Sequence, residues 1–184
     1  MKKKKTMLKE IEIPTGITVK IDKTMIKITG PKGEVTKNVA TKLICFDVGD
    51  NKIVIRPVFN ESKNEKKMIN TYRAHIKNMI TGVTQPYTYK LKVCNSHFPM
   101  NVKVAGNKLE VNNYIGEKTP RILRIKEGSQ VKVEGDIITV TSASIEIAGH
   151  VASDIERLMK RSAFDKRVFQ DGIYIIEKCG VPLK

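Results

Sequence analysis

The sequence contains itself twice, and that constrains its fold more than any other feature. Displaced by 83 places, Val19, Lys20 and Ile21 fall on Val102, Lys103 and Val104. The same shift sets Ile26, Ile28, Gly33 and Glu34 on Leu109, Val111, Gly116 and Glu117. A shift of 85 puts Ile53 and Ile55 on Ile138 and Val140, and one of 79 puts Ile76, Met79 and Ile80 on Ile155, Leu158 and Met159. Alternating apolar residues coincide easily, so the order of the matches carries the argument, and a drifting offset is what loop insertions produce. The 184 residues therefore divide into a basic tail, 1–9, a first module, 10–82, and a second, 83–184. Modules of about 90 residues bury limited surface and are modestly stable.

Within each module the hydrophobic period starts at two. Ile17, Val19 and Ile21, then Ile26 and Ile28, alternate with polar residues; Val102 and Val104, Leu109 and Val111, and Val131 and Val133 do the same. The breaks between them are hairpin turns in composition: Gly30-Pro31-Lys32-Gly33, Gly49-Asp50-Asn51, Ala105-Gly106-Asn107 and Glu134-Gly135-Asp136. The period then lengthens. Ser62-Lys63-Asn64-Glu65 reads as a capping box ahead of a helical face of Met68, Ile69, Tyr72, Ile76, Met79 and Ile80, with Gly82 as its stop. Ile147, Val151, Ile155 and Leu158 form the corresponding stripe, from about Ser144 to Arg161. The expected class is α+β: two tandem similar modules, each a small antiparallel sheet on one main helix, the product of internal duplication.

Charge narrows the function. Lys and Arg number 34 against 19 acidic residues, a net +15 with a pI near 9.7, so polyanions head the list of partners. Up to residue 82 there are 18 basic and 8 acidic residues; beyond it, 16 and 11. Lys2, Lys3, Lys4, Lys5 and Lys9 form a run that cannot pack on itself and is expected to settle only on phosphate. In the second module Lys118, Arg121, Arg124 and Lys126 form one cluster, and Arg157, Lys160, Arg161, Lys166 and Arg167 another around the helix end. Arginine holds phosphate oxygens with a planar fork, although cations in a last helical turn also suit the helix dipole. Aromatics make up only 5% and Trp is absent, which argues against base stacking as the main binding device.

Other classes lack their residues. Apolar runs such as Leu43 to Phe46 fall far short of the ~20 residues of a membrane helix, and no apolar stretch follows the Lys run as in a secretory signal. Cys45, Cys94 and Cys179 are odd in number and far apart, and read as small buried hydrophobes of a reducing cytosol. His75, His97 and His150 are equally scattered. Asp22, Glu34, Asp47 and Asp50 lie near turns and read as solvated or turn-capping groups. Gly30-Pro31-Lys32-Gly33 matches the letters of an RNA-clamping GXXG loop, but strands flank it where helices would be needed. With no phosphate-binding glycine loop, nucleophile elbow or metal-ligand spacing, neither an enzyme nor a cofactor is expected.

The segment from Arg167 through Phe169, Asp171, Gly172 and Tyr174 to Lys178 resembles the signature of the archaeal and eukaryotic branch of the large-subunit ribosomal protein L-six family. Ser96-His97-Phe98-Pro99-Met100-Asn101-Val102, Asn113-Tyr114-Ile115-Gly116-Glu117-Lys118, and Gly82-Val83-Thr84 ahead of a Tyr/Lys strand agree with it. Phe164 departs from it, standing where the family carries a basic residue. The resemblance implies two similar α+β modules on large-subunit rRNA in the cytoplasm, near the base of the factor-binding stalk. Neighbouring ribosomal proteins and translation factors would be close by. It implies no small-molecule substrate and no membrane, and makes the second module the main rRNA binder. Tyr174 and Lys178 join the cationic clusters as candidate rRNA contacts, while Asp171-Gly172 reads physically as a tight turn. The rival expectations are a general nucleic-acid module binding duplexes of any sequence, and an enzyme acting on an anionic substrate.

Overall fold

Alternation of buried and exposed side chains defines the strands: Ile26 and Ile28, Ile53 and Ile55, Leu109 and Val111, and Ile138 and Val140 are all at most 1% exposed. The computed structural model describes residues 8–22, 25–39, 41–49, 51–58, 62–162, 164–165 and 167–183. The chain forms two compact units, 1–85 and 86–184. In the first, β1 (Lys9–Glu12), β2 (Thr18–Asp22), β3 (Met25–Gly30), β4 (Gly33–Asn38), β5 (Ile44–Val48) and β6 (Lys52–Pro57) precede α1 (Lys63–Thr84). Two antiparallel sheets result, ordered β2-β3-β4 and β1-β6-β5. The single small sheet expected per module is thus corrected. The consecutive hairpins of β2–β4 pair only with one another, while β1 skips forward to β6, Lys9 facing Ile55 in register. That pairing also takes Lys9 out of the expected tail.

The second unit holds β7 (Tyr87–Cys94), β8 (Asn101–Ala105), β9 (Lys108–Asn112), β10 (Arg121–Arg124), β11 (Ser129–Glu134) and β12 (Ile137–Ser142). After them come α2 (Ile145–Leu158), β13 (Gly172–Lys178) and β14 (Val181–Pro182). Its sheets run β10-β9-β8 and β11-β12-β7-β13-β14, so the strand order of the first unit recurs with β13 and β14 added on the free edge of β7. The apolar pairs matched by displacement in β3 and β6 are buried in both units, as are Ile76 and Ile155, completely, whereas Leu158, matched to buried Met79, is only half-buried. Each fully buried Ile contributes about 1.5–3 kcal/mol.

Ser62 caps α1 as its spacing to Glu65 predicts. Its Oγ accepts from the Asn64 N–H and donates to the Glu65 carboxylate, whose pKa that bond holds below the usual range. The far end is different. Gly82 does not stop the helix; it lies buried inside a final turn that reaches Thr84, which moves the division between units from 82/83 to 85/86. The stop comes at Gln85, extended ahead of Pro86, and the Gly30-Pro31-Lys32-Gly33 hairpin docks on the helix end. Lys32 N–H donates to the Val83 carbonyl at 3.0 Å, satisfying an acceptor that a helix end leaves open. The GXXG letters therefore mark a turn docked on its own helix. α2 likewise ends early, at Leu158, leaving Arg161 beyond it. Cys45 corrects another expectation: on β5 it alternates with buried Ile44 and is exposed, while Cys94 and Cys179 are half-buried.

The hairpin's approach to α1 requires glycine at position 30. A Cβ there would stand 2.7 Å from Val83 Cγ2 and 2.8 Å from Val83 Cβ. Gly30→Ala should destabilise the protein by about 1–3 kcal/mol, read as a lower midpoint in thermal denaturation; an unchanged midpoint would contradict the packing.

Candidate nucleic-acid interface

The second unit departs from the first between β9 and β10. Where β3 and β4 are joined by two residues, β9 and β10 are joined by an eight-residue segment, 113–120, that includes one 3-10 turn, Tyr114–Gly116. This corrects the displacement by 83. Ile28 faces Val35 and Val111 faces Arg121, so Gly116 and Glu117 belong to the inserted segment and do not correspond to Gly33 and Glu34. Asn113 and Ile115 hold left-handed backbone, φ 62° and 48°, uncommon for any side chain and more so for a β-branched one. Tyr114 pins the turn: it is buried and its hydroxyl donates to the Met159 carbonyl at 2.6 Å. Burial raises its phenol pKa.

That insertion presents Glu117 to two arginines. Arg121 donates from Nε (2.8 Å) and Nη2 (2.7 Å) to the carboxylate and from Nη1 to the Leu158 carbonyl (2.5 Å), with its guanidinium 4.3 Å over the Tyr114 ring. Arg161 donates from Nη1 to the same carboxylate at 3.4 Å and lies 4.2 Å over the Phe164 ring. Hydrogen bonds from Arg121 hold the Glu117 carboxyl below its ordinary pKa, aided by the charges of both arginines against the opposing effect of burial. Phe164 is thus the platform under Arg161.

A second carboxylate organises the neighbouring loops. Asp171 is not in a tight turn; it precedes β13, where Gly172 pairs with Cys94, and its side chain is 2% exposed. It accepts from the N–H groups of Ser96 (2.5 Å) and His97 (3.1 Å), the Ser96 hydroxyl (3.3 Å) and His97 Nδ1 (2.7 Å). Burial alone would raise its pKa; the His97 side-chain bond, the two backbone bonds and the His97 charge outweigh it and bring the carboxyl down to about 2. The His97 ring lies 4.8 Å from Phe169, which meets Phe164 edge-on at 4.9 Å. Ser96, His97 and Asp171 do not form a catalytic relay. Ser96 Oγ, 3.4 Å from Nδ1, approaches the same nitrogen that meets Asp171, whereas a relay uses the two ring nitrogens separately.

The predicted cations separate into engaged and free. Arg121 faces inward with Leu123 and is fully occupied, while Arg124 points to the opposite, exposed face of β10, so their cluster in sequence is not one patch. Lys126 pairs with Asp154 at 3.2 Å. Among the described residues, Lys118, Arg124, Arg157, Lys160, Arg167 and Lys178 are exposed and carry no ion pair. Lys178 stands apart, at the other end of β13 from Gly172, about 20 Å along the strand. Tyr174 is 43% exposed and its hydroxyl donates to the Gln170 carbonyl at 3.2 Å. Lys2, Lys3, Lys4, Lys5 and Lys166 lie outside the described residues. Sequence reasoning missed Glu117, Ser96, His97 and the buried role of Asp171. Of these, the acid four residues before Arg121 was the one readable signal.

A recess of about 270 Å³ lies beside α2, lined by Tyr114, Glu156, Met159, Lys160, Arg161, Phe164, Phe169, Asp171 and Tyr174 among others. No group of three or more potential metal ligands occurs among the described residues, and no described helix is long and apolar enough to cross a membrane.

Fold and site together define a basic α+β protein of two like units whose polar side chains position loops and cations. The Ribosomal protein L6 family model matches residues 13–86 and 98–172, beginning after β1 in one unit and after β7, its topological counterpart, in the other. Over 170 residues the chain is 44% identical to the large ribosomal subunit protein uL6 of Saccharolobus solfataricus, covering 92% of this chain and 93% of that protein. The uL6 of Nanoarchaeum equitans is 45% identical over 181 residues, 93% of each, and that of Ignicoccus hospitalis 39% over 169, 90% and 91%. The chain belongs to the ribosomal protein L-six family.

Because the Asp171 carboxyl titrates below its ordinary 3.8, its stabilising contribution is present above that value and is lost as pH falls through about 2. Asp171→Asn should cost about 1–3 kcal/mol at neutral pH. Denaturant unfolding between pH 4 and pH 2 (roughly the carboxylate range) should show wild type losing more stability than the variant. Parallel losses would refute the assigned bonds.

Proposed function

We propose that this protein is a structural, non-catalytic constituent of the large ribosomal subunit that binds large-subunit rRNA in the cytoplasm and supports translation. The observation that carries the reading is the division of charge in the second unit: Arg121 is taken up by Glu117 and Lys126 pairs with Asp154, whereas Arg157 and Lys160 at the end of α2, and Arg167 beyond it in sequence, stand exposed and without an ion pair. Such cations displace counterions from phosphates, and a rigid scaffold holds the RNA segments in register. Lys118 and Arg124 extend the basic surface on the β10 side, and Lys2 to Lys5 would follow an adjoining RNA groove. Tyr174 and Lys178 contribute from β13, and Lys166 from the loop before it. Family membership supports a position near the base of the factor-binding stalk, beside other large-subunit proteins and within reach of translation factors. The shared strand order supports descent of both modules from one duplicated unit.

The test is the salt dependence of binding to a transcribed large-subunit rRNA. Replacing Arg157, Lys160 and Arg167 together with Ala should weaken binding and flatten the log–log salt slope by about 0.9 per phosphate contact removed. Probing sucrose-gradient fractions should find the wild-type chain in the large-subunit and whole-ribosome pools. Unchanged affinity and slope, or a chain confined to the free pool, would reject the function.

A further inference from the structure

We propose that the recess beside α2 of the second unit receives one unpaired RNA nucleobase, stacked on the Arg161 guanidinium. The inference rests on the rRNA-binding reading and adds the ligand chemistry of a specific site. Aromatic residues are scarce in the chain, five Phe and five Tyr with no Trp, yet Tyr114, Phe164, Phe169 and Tyr174 all line this one space.

Their arrangement is a supported stack. Asp171 fixes His97, His97 lies 4.8 Å from Phe169, Phe169 braces Phe164 edge-on at 4.9 Å, and Phe164 carries the guanidinium of Arg161 at 4.2 Å. Glu117 anchors Arg161 through Nη1 alone; its Nε and Nη2 bond no other described residue, and its side chain is 36% exposed. The plane is therefore held from one face and one edge and remains open on the other. Arginine planes and aromatic rings are the surfaces on which proteins stack splayed RNA bases. Tyr174, also in the lining, folds over Gly172, where a Cβ would come within 3.1 Å of its hydroxyl, so glycine leaves room for that ring. The volume, on the order of nine waters, is more than enough for a single heterocycle. Lys160, exposed at the rim, suits a phosphate flanking an extruded nucleotide, while the acids of the lining, Glu156 and Asp171, would accept hydrogen bonds from a base edge and not from a phosphate.

The experiment uses the full chain with transcribed large-subunit rRNA. Short-wave ultraviolet irradiation followed by mass spectrometry should find a nucleotide adduct within 159–174 of the wild type. Arg161→Lys keeps the charge but loses the plane, and Phe164→Leu keeps apolar bulk but loses the ring. Each should weaken binding roughly tenfold, the worth of one stacked base, while leaving the salt slope unchanged. Arg161→Lys leaves the apolar packing in place and keeps the comparison decisive should Phe164→Leu misfold. If wild type binds with its steep salt dependence, yet no adduct falls in this segment and Arg161→Lys binds as tightly, the base site is overturned and the electrostatic reading stands. Failure of wild type to bind the rRNA would overturn both.

Discussion

A carboxylate with 2% of its side chain exposed must find donors or lose its charge, and Asp171 finds four, all on Ser96 and His97. These two residues lie more than seventy positions away in sequence. Their bonds tie the loop leaving β7 to the loop leading into β13, and so allow β13 to seat on the edge of β7 in register. Without that edge strand the sheet of β7, β12 and β11 would have the strand order of β1, β6 and β5. With it, the segment after α2 is led back across the helix end, bringing Phe164 and Phe169 beside Arg161.

Glu117 does for the cations what Asp171 does for the loops. It takes one arginine almost whole and shares a second, so charges that are neighbours in sequence end in different roles. Arg121 becomes internal structure, its plane on Tyr114 and its third nitrogen on the Leu158 carbonyl. Arg161 is only partly held. The insertion that carries Glu117 includes three residues in left-handed backbone, two of them not glycine, and Tyr114 locks it to the end of α2. An acidic residue in a basic protein here works by selecting which cations remain free.

Much of the architecture was legible along the chain because it depends on near neighbours. The period-two runs became strands, with Ile26, Ile28, Leu109 and Val111 buried though Val104 is exposed, Ser62 capped α1, and the glycine-bearing breaks became hairpins. Failures fell where a distant group decided. Gly82 was read as a helix stop, but the Lys32 N–H supplies the terminal bond one residue beyond it. Asp171-Gly172 was read as a turn, but its carboxylate is claimed by the loop after β7. Composition averages over the chain and could not say that four rings gather at one recess.

The amino-acid sequence by itself determined the twofold plan, the basic character, the strand and helix periods and the family, since these are properties of spacing and composition. Only the tertiary structure decided which cations face outward unpaired, which arginines serve the scaffold, and that a recess exists beside α2. Ion pairing and stacking act over a few ångströms through space, and chain separation places no bound on which residues come that close.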